Sequence, residues 1–262
     1  MNKKTQNNIL KILIIGLSFI ISPTLMAQQI ITGRISDADD GTPIVDASIF
    51  IANTTVGTIS DASGQYSLTV PGSGSFEIVV SHAAYQSVFR KIDTPKDAHR
   101  YDVVLKTTEL EEVAIQAKKT YNNKDIELFW RMLLGEKPSK KGMQVLNPEK
   151  VWFFKSNNVL KATCREPIEI VNHLMGYRIR YVLQSFILDY GNNGYEIAGM
   201  PYFEELTPAN SRQKDNWEKK RQEVYSISMN RFLRAINRKK IHEEGFLLIN
   251  KDLLMKGKIE SA

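Results

Sequence analysis

Apolar and polar residues alternate along the first third of the chain. Val45, Ala47, Ile49 and Ile51 fall on one side of an extended segment, with Asp46 and Ser48 on the other. Successive side chains of a strand point to opposite faces, so this pattern predicts a half-buried strand. Tyr66, Leu68 and Val70 repeat it against Gln65, Ser67 and Thr69, and Pro71, which has no N–H to give a ladder, closes the run. Further strands are predicted from Phe76, Ile78 and Val80, from Tyr85 to Ile92, and from Tyr101, Val103 and Leu105. Between them, Asp37 to Pro43 and Ser60 to Gly64 are clusters of Asp, Ser, Gly and Pro, the residues that bond local backbone or accept positive φ, and they read as tight turns. Short strands at this spacing predict an all-β sandwich rather than βαβ units.

The pattern changes after residue 120. Ile126, Phe129, Trp130, Leu133 and Leu134 recur at helical spacing and stop at Gly135, with Pro138 beyond. Strands are predicted at Val151 to Lys155, Val159 to Glu166, Ile168 to Val171, Tyr177 to Leu188 and Gly194 to Met200, the last two joined by the turn Gly191-Asn192-Asn193-Gly194. One long helix is then expected from about Arg212 to Arg238. Trp217, Val224, Tyr225, Phe232 and Ile236 give it an apolar side that covers a sheet, and Lys219, Lys220, Arg231, Arg234 and Arg238 give it a charged one. The second half therefore reads as α+β, with antiparallel strands and a long amphipathic helix.

Gly33, Asp37, Gly41, Pro43, Ala47, Gly57, Asp61, Gly64 and Tyr66 together resemble the pattern of the carboxypeptidase regulatory-like domain. That family is a small transthyretin-like β-sandwich common on exported bacterial proteins. The resemblance implies a non-catalytic accessory fold over residues 28–108, in which these nine residues are structural. Where the family has Gly-Tyr after the fifth strand this chain has Ala84-Tyr85. The segment 107–119 is similar to the stretch joining such a sandwich to the plug of TonB-dependent receptors, with Val113 and Ile115 as a short linker strand over 109–119. A transmembrane barrel needs many strands of about ten residues each, for which this chain has no room, so it is not expected to be a receptor itself. Residues 120–262, with Pro201-Tyr202-Phe203-Glu204-Glu205-Leu206 and Asn216-Trp217-Glu218-Lys219, resemble a domain that accompanies the sandwich in uncharacterised exported proteins. That likeness implies no activity.

Charge and the N-terminus add a compartment. Lys3, Lys4 and Lys11, the apolar run Ile12 to Ile21 and a polar turn through Ser22 and Pro23 to Ala27 predict a signal peptide over residues 1–27, too short in its apolar part to span a bilayer. Leu25 at the minus-three position is larger than the preferred small residue. No cysteine follows the apolar run, which excludes the lipoprotein route. Export to the periplasm or the outer membrane and cell surface is expected, with no transmembrane span once the signal is removed. Of the net charge of +6, the first 27 residues hold three lysines, the sandwich is acidic and the surplus lies in the second half. Export argues against nucleic acid as the reason, leaving an anionic envelope surface or an acidic glycan as counterpart.

The search for chemistry is mostly negative. His82, His99, His173 and His242 are followed three positions on by Tyr85, Asp102, Gly176 and Gly245, so none begins a zinc carboxypeptidase pair. His-Glu-x-x-His, Gly-x-Ser-x-Gly and phosphate-cradling loops are absent from the sequence, and Pro71-Gly72-Ser73-Gly74 lacks the lysine and helix such a loop needs. Asp37, Asp39 and Asp40 before Gly41 are out of register with a calcium loop and read as turn acceptors. Trp152, Tyr195, Tyr202 and Trp217 are expected in the core. Cys164, the single cysteine, shares a face with Leu160 and Ala162 and is expected to be buried and inert. No catalytic residue, metal ligand or cofactor is predicted. The expectation is a non-enzymatic envelope module with a protein or glycan partner. The alternatives are carbohydrate binding linked to outer-membrane nutrient uptake, or hydrolysis in the second half by acids such as Glu204 and Glu205.

Overall fold

The computed structural model describes residues 28–71, 74–94, 99–107, 121–135 and 142–248. The expected signal peptide, the linker strand at Val113 and Ile115, and Pro138 lie outside the described residues. The chain divides into two compact units, Met1–Glu112 and Val113–Ala262. No helix among the described residues is long and apolar enough to cross a membrane.

The first unit is a β-sandwich. One sheet has the order β4-β1-β7, with β1 Gln28–Asp37, β4 Gln65–Pro71 and β7 Val103–Leu105. The other runs β3-β2-β5-β6, with β2 Ser48–Ile51, β3 Gly57–Ile59, β5 Gly74–Ser81 and β6 Val88–Thr94. β1 pairs antiparallel with β4, from Gln28 opposite Pro71 to Arg34 opposite Gln65, and parallel with β7. The core holds Ile31, Ile35, Ala47, Ile49, Ile51, Tyr66, Leu68, Val70, Ile78, Val80, Ile92, Val103 and Leu105. Alternation thus located the inner faces, because burying one face of each sheet is what stabilises the pair of layers.

Two local readings are corrected. Val45 is exposed, and the β2 ladder begins only at Ser48. The cause is Asp46, whose φ of 58° turns the chain, and Ser60, whose buried hydroxyl accepts from the Ala47 N–H at 2.9 Å and donates to the Ile44 carbonyl at 2.7 Å. The sixth strand starts at Val88 rather than at Tyr85. His82 to Tyr85 form a turn closed by the Tyr85 N–H on the His82 carbonyl, and Ala84 stands in it without positive φ.

The second unit is an antiparallel sheet with helices. Its strands are β8 Met143–Val145, β9 Val151–Ser156, β10 Val159–Cys164, β11 Ile168–Asn172, β12 Tyr177–Asp189 and β13 Gly194–Glu205. β12 organises it. One edge of β12 carries β13 along its whole length, with a bulge between Leu183 and Ser185. The other edge is shared, β11 pairing with Tyr177–Tyr181 and β10 with Ile187–Asp189. Helix α1, Asn123–Leu134, lays the fully buried Phe129 ring against Phe153 and Phe186, at 5.2 and 4.8 Å between centroids. Around them pack Val151, Leu160, Ala162, Ile168, Ile170, Leu183 and Leu188. α1 stops at Gly135, whose φ is 88°.

The expected single long helix is two, α2 Ser211–Ser226 and α3 Met229–Asn237. Ser228 causes the break. Its hydroxyl accepts from the Arg231 N–H at 3.2 Å as an N-cap, which starts a new helix instead of continuing the old one. The apolar side is also largely uncovered, since Val224, Tyr225 and Ile236 are exposed. α2 holds to the sheet through Trp217, whose indole N–H donates to the His173 carbonyl at 2.8 Å and whose ring occupies the space beside Gly176 that a Cβ would fill. Arg221 adds bonds to the Met175 and Gly176 carbonyls and lies 4.0 Å over the Tyr177 ring.

Candidate functional site

The nine motif residues fall in the turns, strands and core of the sandwich. Gly33 sits where a Cβ would collide with the Tyr101 carbonyl and the Tyr66 ring. Tyr66 is buried, its hydroxyl donates to the Tyr101 carbonyl at 2.7 Å, and burial pushes its pKa up. Asp37 accepts from the Asp39 N–H at 2.7 Å and from the Tyr85 hydroxyl at 2.7 Å, and these bonds hold its carboxyl below the usual range. Gly41 and Gly64 have φ of 72° and 74°. Pro43 bridges to Ser36, Gly57 opens β3, and Ala47 is completely buried. Asp61 accepts from the Ser63 hydroxyl, the Gln65 N–H and the Ser63 N–H, at 2.7, 2.9 and 2.8 Å, and is held below its usual pKa by them.

The polar sides of the same strands build a groove. Thr32 and Arg34 on β1 and Gln65 and Ser67 on β4 point away from the core, since Ile31, Ile35, Tyr66 and Leu68 point into it. With Thr58 and Asp61 at one wall and Arg100 at the other they line an open depression of about 440 Å³. Asp102 beside it accepts from Arg100 Nε at 3.0 Å and from the Arg34 N–H at 2.8 Å, which lowers its pKa. Asp102 thus has both carboxylate oxygens engaged, whereas the bonds to Asp61 all fall on Oδ1. The Arg34 guanidinium makes no ion pair among the described residues. The groove therefore offers hydroxyls, an amide, a carboxylate and cationic nitrogens, groups that can hold a polar ligand. Sequence reading missed it, although outward alternation at Thr32, Arg34, Gln65 and Ser67 was visible.

The acids and aromatics singled out in the second unit do not converge. Glu204 pairs with Arg180 and Glu205 with Arg221, both at 3.2 Å, and as neighbours on β13 they point to opposite faces of the sheet. Trp217 is in the core, Tyr202 is half-buried, and Trp152 and Tyr195 are exposed, contrary to expectation. Trp152 stands opposite Thr163, and Tyr195 opposite the inward Leu188, so their rings lie on different faces and make no common platform. Cys164 is half-buried as the last residue of the Leu160–Ala162 face. Burial pushes its thiol up to about 11, and Sγ donates to the Glu166 carbonyl at 2.7 Å. No group of three or more His, Cys, Asp or Glu among the described residues is arranged to hold a metal ion.

One polar cluster in this unit centres on a buried carboxylate, Asp125. Asn122 and Asp125 form a reciprocal capping box at the start of α1, the Asp125 carboxylate accepting from the Asn122 N–H at 2.9 Å. The same carboxylate takes the Tyr190 hydroxyl at 2.6 Å and Lys155 Nζ at 2.8 and 3.0 Å. Burial opposes its ionisation, but Lys155, Tyr190 and the Asn122 N–H together hold its pKa below the ordinary value. Tyr190 is correspondingly pushed up to about 12, by burial first and then by its bond to Asp125. Asp125, on α1, thus ties the helix to Lys155 on β9 and to Tyr190 just after β12, a clasp between α1 and the sheet. Asn122-x-x-Asp125 was the sequence signal that could have found it.

The motif residues thus sit in the turns, strands and core of a β-sandwich. Residues 31–115 match the family model of the CarboxypepD_reg-like domain, and the first unit is a sandwich of that class. No curated protein matches. Among solved structures, the chain is similar to a type II cohesin–X-dockerin complex from Acetivibrio cellulolyticus, at 17% identity and a TM-score of 0.22 over 29% of this chain and 51% of that one. It is also similar to a DUF3823 family protein from Parabacteroides merdae, at 9% identity and a TM-score of 0.23 over 66% of this chain and 80% of that one. A putative membrane-associated protein of unknown function from Bacteroides fragilis gives 12% identity and a TM-score of 0.23, over 70% and 84%. The chain thus spans about half the length of the first of these. At such scores none of the three carries an argument about what this protein does.

Proposed function

We propose that the protein is an exported, non-enzymatic binding module of the cell envelope, engaging a glycan or protein partner through its sandwich. The observation that supports this most is the groove on the β4-β1-β7 sheet, where the Arg34 guanidinium faces solvent without an ion-pair partner beside Arg100, Thr32, Gln65 and Ser67. Pockets that bind polar ligands place a few such convergent groups on a rigid floor, and β1 and β4 supply the floor. A carbohydrate is the ligand favoured by the hydroxyl and amide lining. The hydrolase alternative loses support from Glu204 and Glu205, which are tied to arginines on opposite faces.

The test uses the chain from Gln28 onward, which retains every described residue, on an array of neutral and acidic glycans. Binding is expected, and Arg34→Ala should weaken it by about tenfold, in line with loss of one charge-assisted hydrogen bond. The melting temperature should not change, because Arg34 is exposed. Binding that survives Arg34→Ala would place the ligand elsewhere. Release of sugar from any array member would overturn the non-enzymatic reading.

A further inference from the structure

Helix α3 is anchored on one side and open on another. Ala235 is completely buried, and Phe232 packs its ring on Phe246, 5.2 Å between centroids. Met229, Leu233 and Ile236, at i, i+4 and i+7, form a stripe next to that anchored side. They are 67%, 53% and 43% exposed, and Ile227 just before the helix is 85% exposed. Leu247 and Leu248, directly after Phe246, are exposed as well. Single exposed apolar side chains are ordinary on a protein surface, but so many within one short segment mark an interaction surface.

The charges of the segment narrow the occupant. Between Ile227 and Leu248 the acids are Glu243 and Glu244, and each has a partner, Lys240 at 2.9 Å and Arg231 at 3.2 Å. Arg234, on the polar side of the helix, donates to the Tyr225 hydroxyl at 3.1 Å. Arg238 and Lys239 follow it, and these three cations make no ion pair among the described residues. A second copy facing this surface would bring like charges together with no free acid to offset them. An anionic lipid surface complements both features, because apolar side chains enter at the headgroup boundary while long basic ones reach the phosphates.

We propose that α3, with Ile227 and Leu247–Leu248, docks the protein peripherally on an anionic bilayer surface. Met229, Leu233 and Ile236 seat at the acyl boundary, and Arg234, Arg238 and Lys239 meet the phosphates. This docking is independent of the groove and of its ligand.

The experiment is co-flotation of the chain from Gln28 onward with vesicles, since the apolar run and lysines of residues 1–27 would bind lipid on their own account. Vesicles of phosphatidylcholine are compared with an about 3:1 mixture of phosphatidylcholine and phosphatidylglycerol. Association with the mixture alone is expected, weakened by added salt and reduced at least about tenfold by Arg238→Glu with Lys239→Glu. Met229→Ser with Leu233→Ser should reduce it comparably. All four positions are exposed, and an unchanged circular dichroism spectrum and melting temperature would confirm that the variants fold. Association with neither vesicle, or equal association of the variants and the parent chain, would overturn the proposal. So would a concentration-dependent dimer dissociated by Leu233→Ser without vesicle binding, which would assign the face to a second copy.

Discussion

Asp125 is a polar residue whose removal should markedly destabilise the second unit. Its side chain is 5% exposed and collects four hydrogen bonds, two from Lys155 Nζ, one from the Tyr190 hydroxyl and one from the Asn122 N–H. Asp125→Ala takes the carboxylate from all of them. Removing one partner of a buried pair costs about 3–5 kcal/mol, because the other charge stays desolvated. Lys155 keeps some contact with water at 22% exposure, which lowers that figure. Loss of the Asp125 half of the capping box adds less than about 1 kcal/mol, since Asn122 still caps the helix, and terms that share one atom do not simply sum. We expect a loss of about 3 kcal/mol for Asp125→Ala. Asp125→Asn, which keeps an oxygen for Tyr190 but not the charge, should lose about 1–2 kcal/mol. The chain has three tryptophans, Trp130, Trp152 and Trp217, all in the second unit, so their fluorescence in urea follows that unit alone. A loss under about 1 kcal/mol for Asp125→Ala, at unchanged denaturant slope, would refute the clasp as a stabilising element.

Gly64→Val should destabilise the sandwich by at least about 1–3 kcal/mol, since its φ is 74° and a Cβ there meets the Ile35 carbonyl. Ser63→Ala, on the exposed turn, should cost about 0.5 kcal/mol, and equal melting temperatures for the two would show the turn misassigned. Asp37, Asp61 and Asp102 have folded pKa values below their unfolded ones, so the stability they contribute is complete above the ordinary carboxylate range and is lost as pH falls through the folded values. The melting temperature of the sandwich should therefore drop on acidification below about pH 4, and less steeply in Asp61→Asn; a flat profile would contradict the three hydrogen-bond sets. Cys164, with a thiol pushed up to about 11, should resist alkylation at pH 8 in the native chain and react on unfolding. Native alkylation at the rate of a free thiol would show that the burial raising its pKa does not hold.

The sandwich was legible because its information is local. Alternation at Tyr66, Leu68 and Val70 sets the inner face, and Gly64 announces the turn before it; both follow from backbone geometry that any neighbour must accept. In the second unit the strands from Val151 onward were found to within a few residues at their starts. β13 runs on to Glu205 instead of ending at Met200, because the whole length of β12 is there to pair with it. The aromatics were misjudged for a different reason. Trp152 and Tyr195 obey strand alternation, but alternation tells which face a ring takes and not whether anything covers that face. The groove was missed because a polar side chain on the outward face of a strand looks the same in sequence whether it meets water or a ligand.

Helix α3 shows the same limit most sharply. Apolar residues continue at helical spacing from Trp217 through Val224 to Phe232 and Ile236, so periodicity joins α2 and α3 into one helix. Periodicity assumes a continuous backbone. Ser228 ends that continuity by bonding the Arg231 N–H, an alternative that serine always offers and that spacing cannot weigh. Once the helix is broken, the stripe of Met229, Leu233 and Ile236 is no longer an extension of the Trp217 face. It becomes a separate surface, with its own orientation and the cations Arg234 and Arg238 around the axis from it. A feature that reads in sequence as a helix covering a sheet is thus, in the fold, an uncovered apolar stripe with cations that make no ion pair among the described residues on the other side of the same short helix. What completes it must be both apolar and anionic, and an acidic bilayer satisfies both conditions.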